Sequence, residues 1–111
     1  MRIQYAILYT SDIDRVRAFY STLLKAQPVE DLEYFVGFAL DGPMLGIKRS
    51  SEPREQPGCQ TVIIACQNAE EMHNACVALG APIVQEIEVA EWGKNFSILD
   101  PDGNKVEFVE A

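Results

Sequence analysis

An α+β fold built from two βαβββ modules in one chain is what this sequence predicts. Three observations carry that expectation: one pattern is written twice, each copy holds an amphipathic helix, and short apolar stretches bounded by turn residues flank both helices. The first copy reads YAILYTSDIDRVRAFYSTLLKAQPV from Tyr5, the second TVIIACQNAEEMHNACVALGAPIV from Thr61. Tyr5 falls opposite Thr61, Asp12 opposite Asn68 and Pro28 opposite Pro82. The repeat continues in FALDGPMLGIK and FSILDPDGNKVEF, where Leu40 matches Leu99 and Asp41 matches Asp100. The second of these turns is longer, so Gly46 falls opposite Glu107. The expected organisation is a single domain, 1–111, of two modules (about 1–50 and 59–111). A polar loop, 49–58, joins them; RSSEPREQPG holds two prolines and reads as the most mobile stretch.

Each element has a local reason. In the first helix Val16, Phe19, Tyr20, Leu23 and Leu24 recur at i, i+3, i+4, i+7 and i+8, a core-facing stripe, and Ser11 or Asp12 can cap its free N–H groups. In the second, Met72, Ala75, Cys76 and Leu79 form the stripe, Asn68 caps it and Gly80 stops it. Strands are expected near 3–9, 34–40, 43–48, 60–66, 82–89, 94–99 and 104–109, with a short one near 28–31. The expected architecture is a curved mixed sheet with helices on its convex face.

Because side chains alternate along a strand, the pattern also sorts faces. Val106 and Phe108 suit the helix side, which sends Lys105, Glu107 and Val109 to the concave side. The same parity places Tyr5, Ile7 and Tyr9, then Met44, Gly46 and Lys48, then Thr61, Ile63 and Ala65, on the concave side. Glu107 is thereby expected to face a cleft. Its plainer role is to pair with Lys48 or Lys105.

Composition narrows the function classes. Seventeen acids against nine bases give a net charge of −8, which argues against nucleic acid or an anionic membrane as partner, since both need a basic patch. That balance permits a cationic small molecule, and equally it keeps a small protein soluble. No apolar run approaches the ~20 residues of a membrane span. Cys59, Cys66 and Cys76 form no CxxC pair and read as free, mostly buried thiols. With no small-residue cleavage pattern after MRIQYAILYTSD, the expectation is a cytoplasmic protein.

The βαβββ repeat, the first strand running into SDIDRVRAFYSTLL and the closing DPDGNKVEF together resemble the vicinal oxygen chelate superfamily, the glyoxalase/bleomycin resistance protein/dioxygenase group, over essentially the whole chain. That resemblance implies the fold already read from the repeat. It also implies four metal-ligand positions, on the first and last strand of each module, which fall here on Tyr5, Gly46, Thr61 and Glu107. Of these Glu107 alone carries the residue type that such a site requires. Gly46 has no side chain, Thr61 is a poor ligand, and Tyr5 would have to ligate as a phenolate, against a reference pKa near ~10. The histidine of the chain, His73, sits in the second helix and reads as solvated. The expectation is no metal site and no cofactor; a divalent metal is disfavoured, and a metal-dependent member with an atypical site stays open as an alternative.

The resemblance then points to the metal-free, bleomycin-resistance-like branch: a homodimer that sequesters a bulky ligand in a cleft. The expected ligand-binding residues are Tyr5, Tyr9, Met44, Lys48, Ile63, Trp92 and Glu107, suited to a cationic or aromatic small molecule. Tyr5 and Tyr9 could instead fill the sheet or a dimer interface, and Trp92 could be a core or interface residue. Two other classes stay open. One is a lyase or isomerase on a small carbonyl compound, with Glu107 as general base and Tyr5 or Lys48 as proton donor or oxyanion partner. The other is an interaction protein with a filled cleft.

Overall fold

A computed structural model of the chain describes residues 1–110. The chain divides into two compact units, Met1–Gly58 and Cys59–Ala111. The first unit runs β1 (Tyr5–Thr10), α1 (Ile13–Leu24), β2 (Glu30–Asp31), β3 (Phe35–Phe38) and β4 (Met44–Arg49). Its strands lie in the order β1-β4-β3-β2, with β1 parallel to β4 and the remaining pairs antiparallel. The second unit runs β5 (Thr61–Cys66), α2 (Ala69–Leu79), β6 (Ile83–Ala90), β7 (Gly93–Leu99) and β8 (Lys105–Glu110). Its order, β5-β8-β7-β6, has the same parallel and antiparallel pairing. The repeat read in the sequence is therefore a repeat of topology. A parallel neighbour for each first strand requires a crossover, and the helix supplies it.

The helices begin and end where their sequences allow. Asp12 caps α1, its carboxylate accepting the Arg15 N–H at 3.2 Å, while Thr10 Oγ1 accepts the Asp12 N–H at 3.0 Å. Asn68 caps α2 by accepting from Glu71 N at 3.0 Å, and Ala69 N donates to Glu110 Oε1 at 2.9 Å, which anchors the helix start to β8. Gly80 ends α2 with φ +81°; Lys25 does the same for α1 with φ +51°, a left-handed position that is costly for a residue with a Cβ. Arg17 lies against Asp14 and Asp31 and reaches the Leu32 carbonyl, so this base tethers α1 to the β2 turn.

In the first unit the core forms between α1 and its sheet: Val16, Tyr20 and Leu23 meet Val36, Phe38 and Ile47, all 2% exposed or less. Ile13, outside the expected stripe, is also buried, and Phe19 and Leu24 are only half-buried. In the second unit Phe96 and Phe108 stack at 5.2 Å beneath α2, beside Ile98 and Val106. Each such side chain contributes about 1.5–3 kcal/mol by leaving water. Of the expected α2 stripe, Cys76 is fully buried and Met72, Ala75 and Leu79 are half-buried. Among the thiols only Cys76 is buried; Cys59 is exposed, contrary to the expectation that most would be buried. No helix among the described residues is long and apolar enough to cross a membrane.

Candidate functional site

The face of each sheet away from its helix carries the residues singled out from sequence. In the first unit the register sets Tyr5 beside Met44, Ile7 beside Gly46 and Tyr9 beside Lys48, all on that open face. Gly46 in turn pairs with Gly37, and Gly37 with Glu30. One row across the sheet is thus Ile7–Gly46–Gly37–Glu30, with no side chain on its two central strands. Neighbours fill the space. A Cβ on Gly46 would come within 2.6 Å of Ile7 Cδ1 and 2.8 Å of Phe35 Cζ; one on Gly37 would meet Met44 Cε at 3.0 Å and Glu30 Oε1 at 3.3 Å.

Over this row the Tyr5 hydroxyl donates a hydrogen bond to Glu30 Oε1, and the Tyr5 ring meets Phe35 edge-on at 5.8 Å. The hydrogen bond to Glu30, with burial and the acid's charge adding to it, raises the Tyr5 pKa above its ordinary value. Glu30 and Phe35 escaped the sequence reading. The parity of Phe35 was available from the 34–40 strand. The reach of Glu30 to Tyr5 depends on a strand order that no local pattern encodes.

Lys48 is occupied. Its Nζ meets Glu55 Oε1 at 2.7 Å and Oε2 at 3.0 Å, and also Ser51 Oγ at 2.8 Å. Glu55 is 5% exposed and accepts the Ser51 N–H at 2.8 Å as well. The Lys48 ammonium and the Ser51 N–H lower its pKa to about 2. Lys48 is therefore committed to Glu55, and this contact ties the 49–58 connection to β4. A polar loop reads as solvated when the partner that buries one of its acids lies on a neighbouring strand.

In the second unit Ile63 sits beside Glu107, and Ser97 lies opposite Glu107 on β7. Glu107 Oε1 is 4.0 Å from Lys105 Nζ, at the limit of an ion pair, with the Glu107 side chain 17% exposed. Ile63 is 63% exposed. Ser97 is fully buried and its hydroxyl has no hydrogen-bond partner among the described residues. Trp92 lies in the β6–β7 turn, 65% exposed, beyond the end of the ladder that holds Glu107. It is not a core residue of its unit, and the structure does not bring it beside Glu107. His73, read as solvated, is half-buried against the sheet: its ring meets Phe96 edge-on at 5.3 Å and Nε2 lies 2.7 Å from Glu86 Oε1.

The DPDGN turn preceding β8 has a structural duty. Asp100 Oδ1 accepts the N–H groups of Asp102 and Asn104 at 3.0 and 2.9 Å, and Oδ2 accepts Asn104 Nδ2 at 2.9 Å. Asn104 Oδ1 then accepts the Gln60 N–H at 3.0 Å, fastening the approach to β5 onto β8. Gly103 holds φ +96°, which a side chain would strain. This turn aligns β8 on β5 and so sets Glu107 opposite Ile63.

The metal-ligand positions that the resemblance implied do not make a donor set. In the first unit Gly46 offers no donor and its side-chain space is taken by Ile7 and Phe35. Tyr5 holds its proton more firmly than a free phenol because Glu30 accepts it. In the second unit Thr61 offers an exposed hydroxyl and Glu107 a single carboxylate. Among the described residues no three His, Cys, Asp or Glu side chains are grouped to hold a metal ion.

The family model of the Glyoxalase/Bleomycin resistance protein/Dioxygenase superfamily matches residues 2–108, and the chain belongs to that superfamily. Solved structures share its architecture over nearly the full length. One is TnmS3, an antibiotic binding protein from Streptomyces, 16% identical, with 99% of this chain and 95% of that one covered and a TM-score of 0.84. Another is a lactoylglutathione lyase from Agrobacterium tumefaciens, 23% identical, with 98% and 92% covered and a TM-score of 0.79. A third is a glyoxalase/bleomycin resistance protein from Catenulispora acidiphila, 22% identical, with 100% and 99% covered and a TM-score of 0.78. At these identities the likeness is one of fold. No curated protein matches the chain.

Proposed function

We propose that the protein binds a small organic molecule, cationic or aromatic, without a metal, in the manner of the sequestering members of its superfamily. The observation that carries this reading is the state of the Gly46 and Tyr5 positions. One is filled by Ile7 and Phe35 and the other is committed to Glu30, so the open face of the first unit is furnished with apolar and aromatic side chains where a ligating face would present donors. Tyr5, Tyr9 and Met44 line that face, and Ile63 and Glu107 line the corresponding face of the second unit. Lys48 is withdrawn from this set by Glu55. An antibiotic binding protein among the solved structures of this fold supports the reading as a precedent. The reading includes a homodimer, because each sheet has two outer strands whose edges invite pairing, and a reducing, cytoplasmic setting for the three free thiols.

Calorimetric titration of chelator-stripped protein tests it. Zn²⁺, Ni²⁺, Mn²⁺ and Fe²⁺ are expected to give no stoichiometric binding, while members of a panel of cationic aromatic antibiotics bind at micromolar Kd or tighter. Tight uptake of about one metal per subunit, abolished in Glu107→Ala, would overturn the proposal.

A second reading has one observation of its own. The buried, unpartnered hydroxyl of Ser97 lies directly across from Glu107. That pair could serve a lyase or isomerase acting on a small carbonyl compound, with Glu107 as base. Turnover of such a compound by the metal-free protein, lost in a folded Glu107→Gln variant, would establish this reading over binding alone.

A further inference from the structure

The row Ile7–Gly46–Gly37–Glu30 leaves the middle of the first unit's open face with no side chains of its own. An acid and two aromatic rings stand around it. Glu30, on the outer strand β2, extends over Gly37 and accepts the hydroxyl of Tyr5 from the opposite outer strand β1. An ionised carboxylate offers about four lone-pair positions, and Tyr5 occupies one. Three bases of this unit are directed to other acids: Arg17 to Asp14 and Asp31, Lys48 to Glu55, and Arg54 to Glu52. The Tyr5 and Phe35 rings stand at 75° to one another, so the acid's hydrogen-bond partner carries a second ring set at an angle. The atoms that fill the space above the glycines are the tips of Ile7, Phe35 and Met44, ends of side chains that move by rotation about single bonds.

A carboxylate beside a tyrosine and a phenylalanine, over two glycines covered only by rotatable side-chain tips, matches the chemistry of an organic cation. The charge meets the acid through paired N–H donors and the flat body meets the rings. We propose that Glu30, Tyr5 and Phe35, over Gly37 and Gly46, form a subsite for the amidinium, guanidinium or ammonium end of a ligand. This rests on the small-molecule reading above and deepens it: the acid that receives the ligand's charge is Glu30. Glu107, the acid that the sequence singled out, has its own lysine at 4.0 Å.

The test is a titration of the intact ¹⁵N-labelled chain with benzamidine, a flat aromatic cation, and with benzamide, its neutral counterpart of nearly the same shape. Benzamidine is expected to give saturable shifts at the amides of Glu30, Phe35, Gly37 and Gly46 in the millimolar range, and benzamide none that saturate. Glu30→Gln keeps the size of the side chain and an acceptor for Tyr5, and its spectrum reports whether it folds. It is expected to weaken benzamidine about tenfold or more. Glu33→Gln, which removes one exposed negative charge from the same hairpin, is expected to leave binding unchanged. Equal shifts from benzamide, binding that survives in folded Glu30→Gln, or no saturable shift at those four amides would each overturn the subsite. The broader reading fails by a different result: benzamidine titrates at Glu30 while no larger cationic aromatic compound binds. If the larger compounds bind and Glu30→Gln leaves them unaffected, the subsite falls and the broader reading stands.

Discussion

Tyr5 and Glu30 show how one contact alters the chemistry of a residue. Folding gives the Tyr5 proton an acceptor, so the folded pKa lies above the unfolded value of 10.0. The stabilising contribution is fully present below pH 10 and is lost as pH rises through the folded value. Following the Tyr5 ring carbon by NMR against pH is expected to show this raised midpoint, and Glu30→Ala, which removes the acceptor, to lower it toward 10. At Asn104 the same logic governs stability. Its amide joins Asp100 to Gln60 and is 1% exposed, so Asn104→Ala removes both hydrogen bonds, one of them inside the buried turn. The expected cost is about 1–3 kcal/mol in urea unfolding, with the m-value unchanged. The role of DPDGN follows from these bonds: the turn is structural, and what it positions is Glu107.

At the scale of the element, β4 and the connection after it behave as one piece. Glu55 is lowered to about 2 from an ordinary 4.5 by Lys48 and the Ser51 N–H. A depressed carboxylate stabilises the folded chain above its unfolded pKa, and that contribution disappears as pH falls from about 4.5 toward 2. Urea midpoints of the protein and of Glu55→Gln are therefore expected to differ at pH 7 and to converge near pH 2. Equal midpoints at pH 7 would show that the tether contributes nothing. β4 also carries the Gly46 constraint. Gly46→Ala drives a methyl against Ile7 and Phe35 and is expected to cost about 1–3 kcal/mol, readable as a lower urea midpoint. Larger residues at this position require both neighbours to rotate away.

For the whole molecule the dominant quantity is the net charge of −8. A field of that sign draws cations toward the protein and is screened over about 8–10 Å at physiological salt. Binding of a cationic ligand is expected to weaken several-fold between 10 and 150 mM salt by calorimetry, and binding of a neutral analogue to stay constant. Equal salt dependence for the two would separate charge from recognition in this protein. The two units repeat one topology but not one chemistry. The open-face row that reads Ile–Gly–Gly–Glu in the first becomes Ile63–Glu107–Ser97–Gln85 in the second.

Much of this was legible in the residues. The α+β class, the element order, the caps at Asp12 and Asn68 and the facing of Val106 and Phe108 follow from periodicity and local hydrogen bonding, which act over a few residues and leave their mark in sequence. The open-face positions of Tyr5, Tyr9, Met44 and Lys48 follow from the same alternation. What the sequence by itself determined was which face each side chain occupies. Only the tertiary structure decided which side chains meet: Glu30 reaching Tyr5 across two strands, Glu55 claiming Lys48, Phe35 and Ile7 closing over Gly46, and Trp92 standing apart from Glu107. The physical reason is that facing is set by the pleat of a single strand, whereas meeting is set by strand order and by the space that neighbours leave.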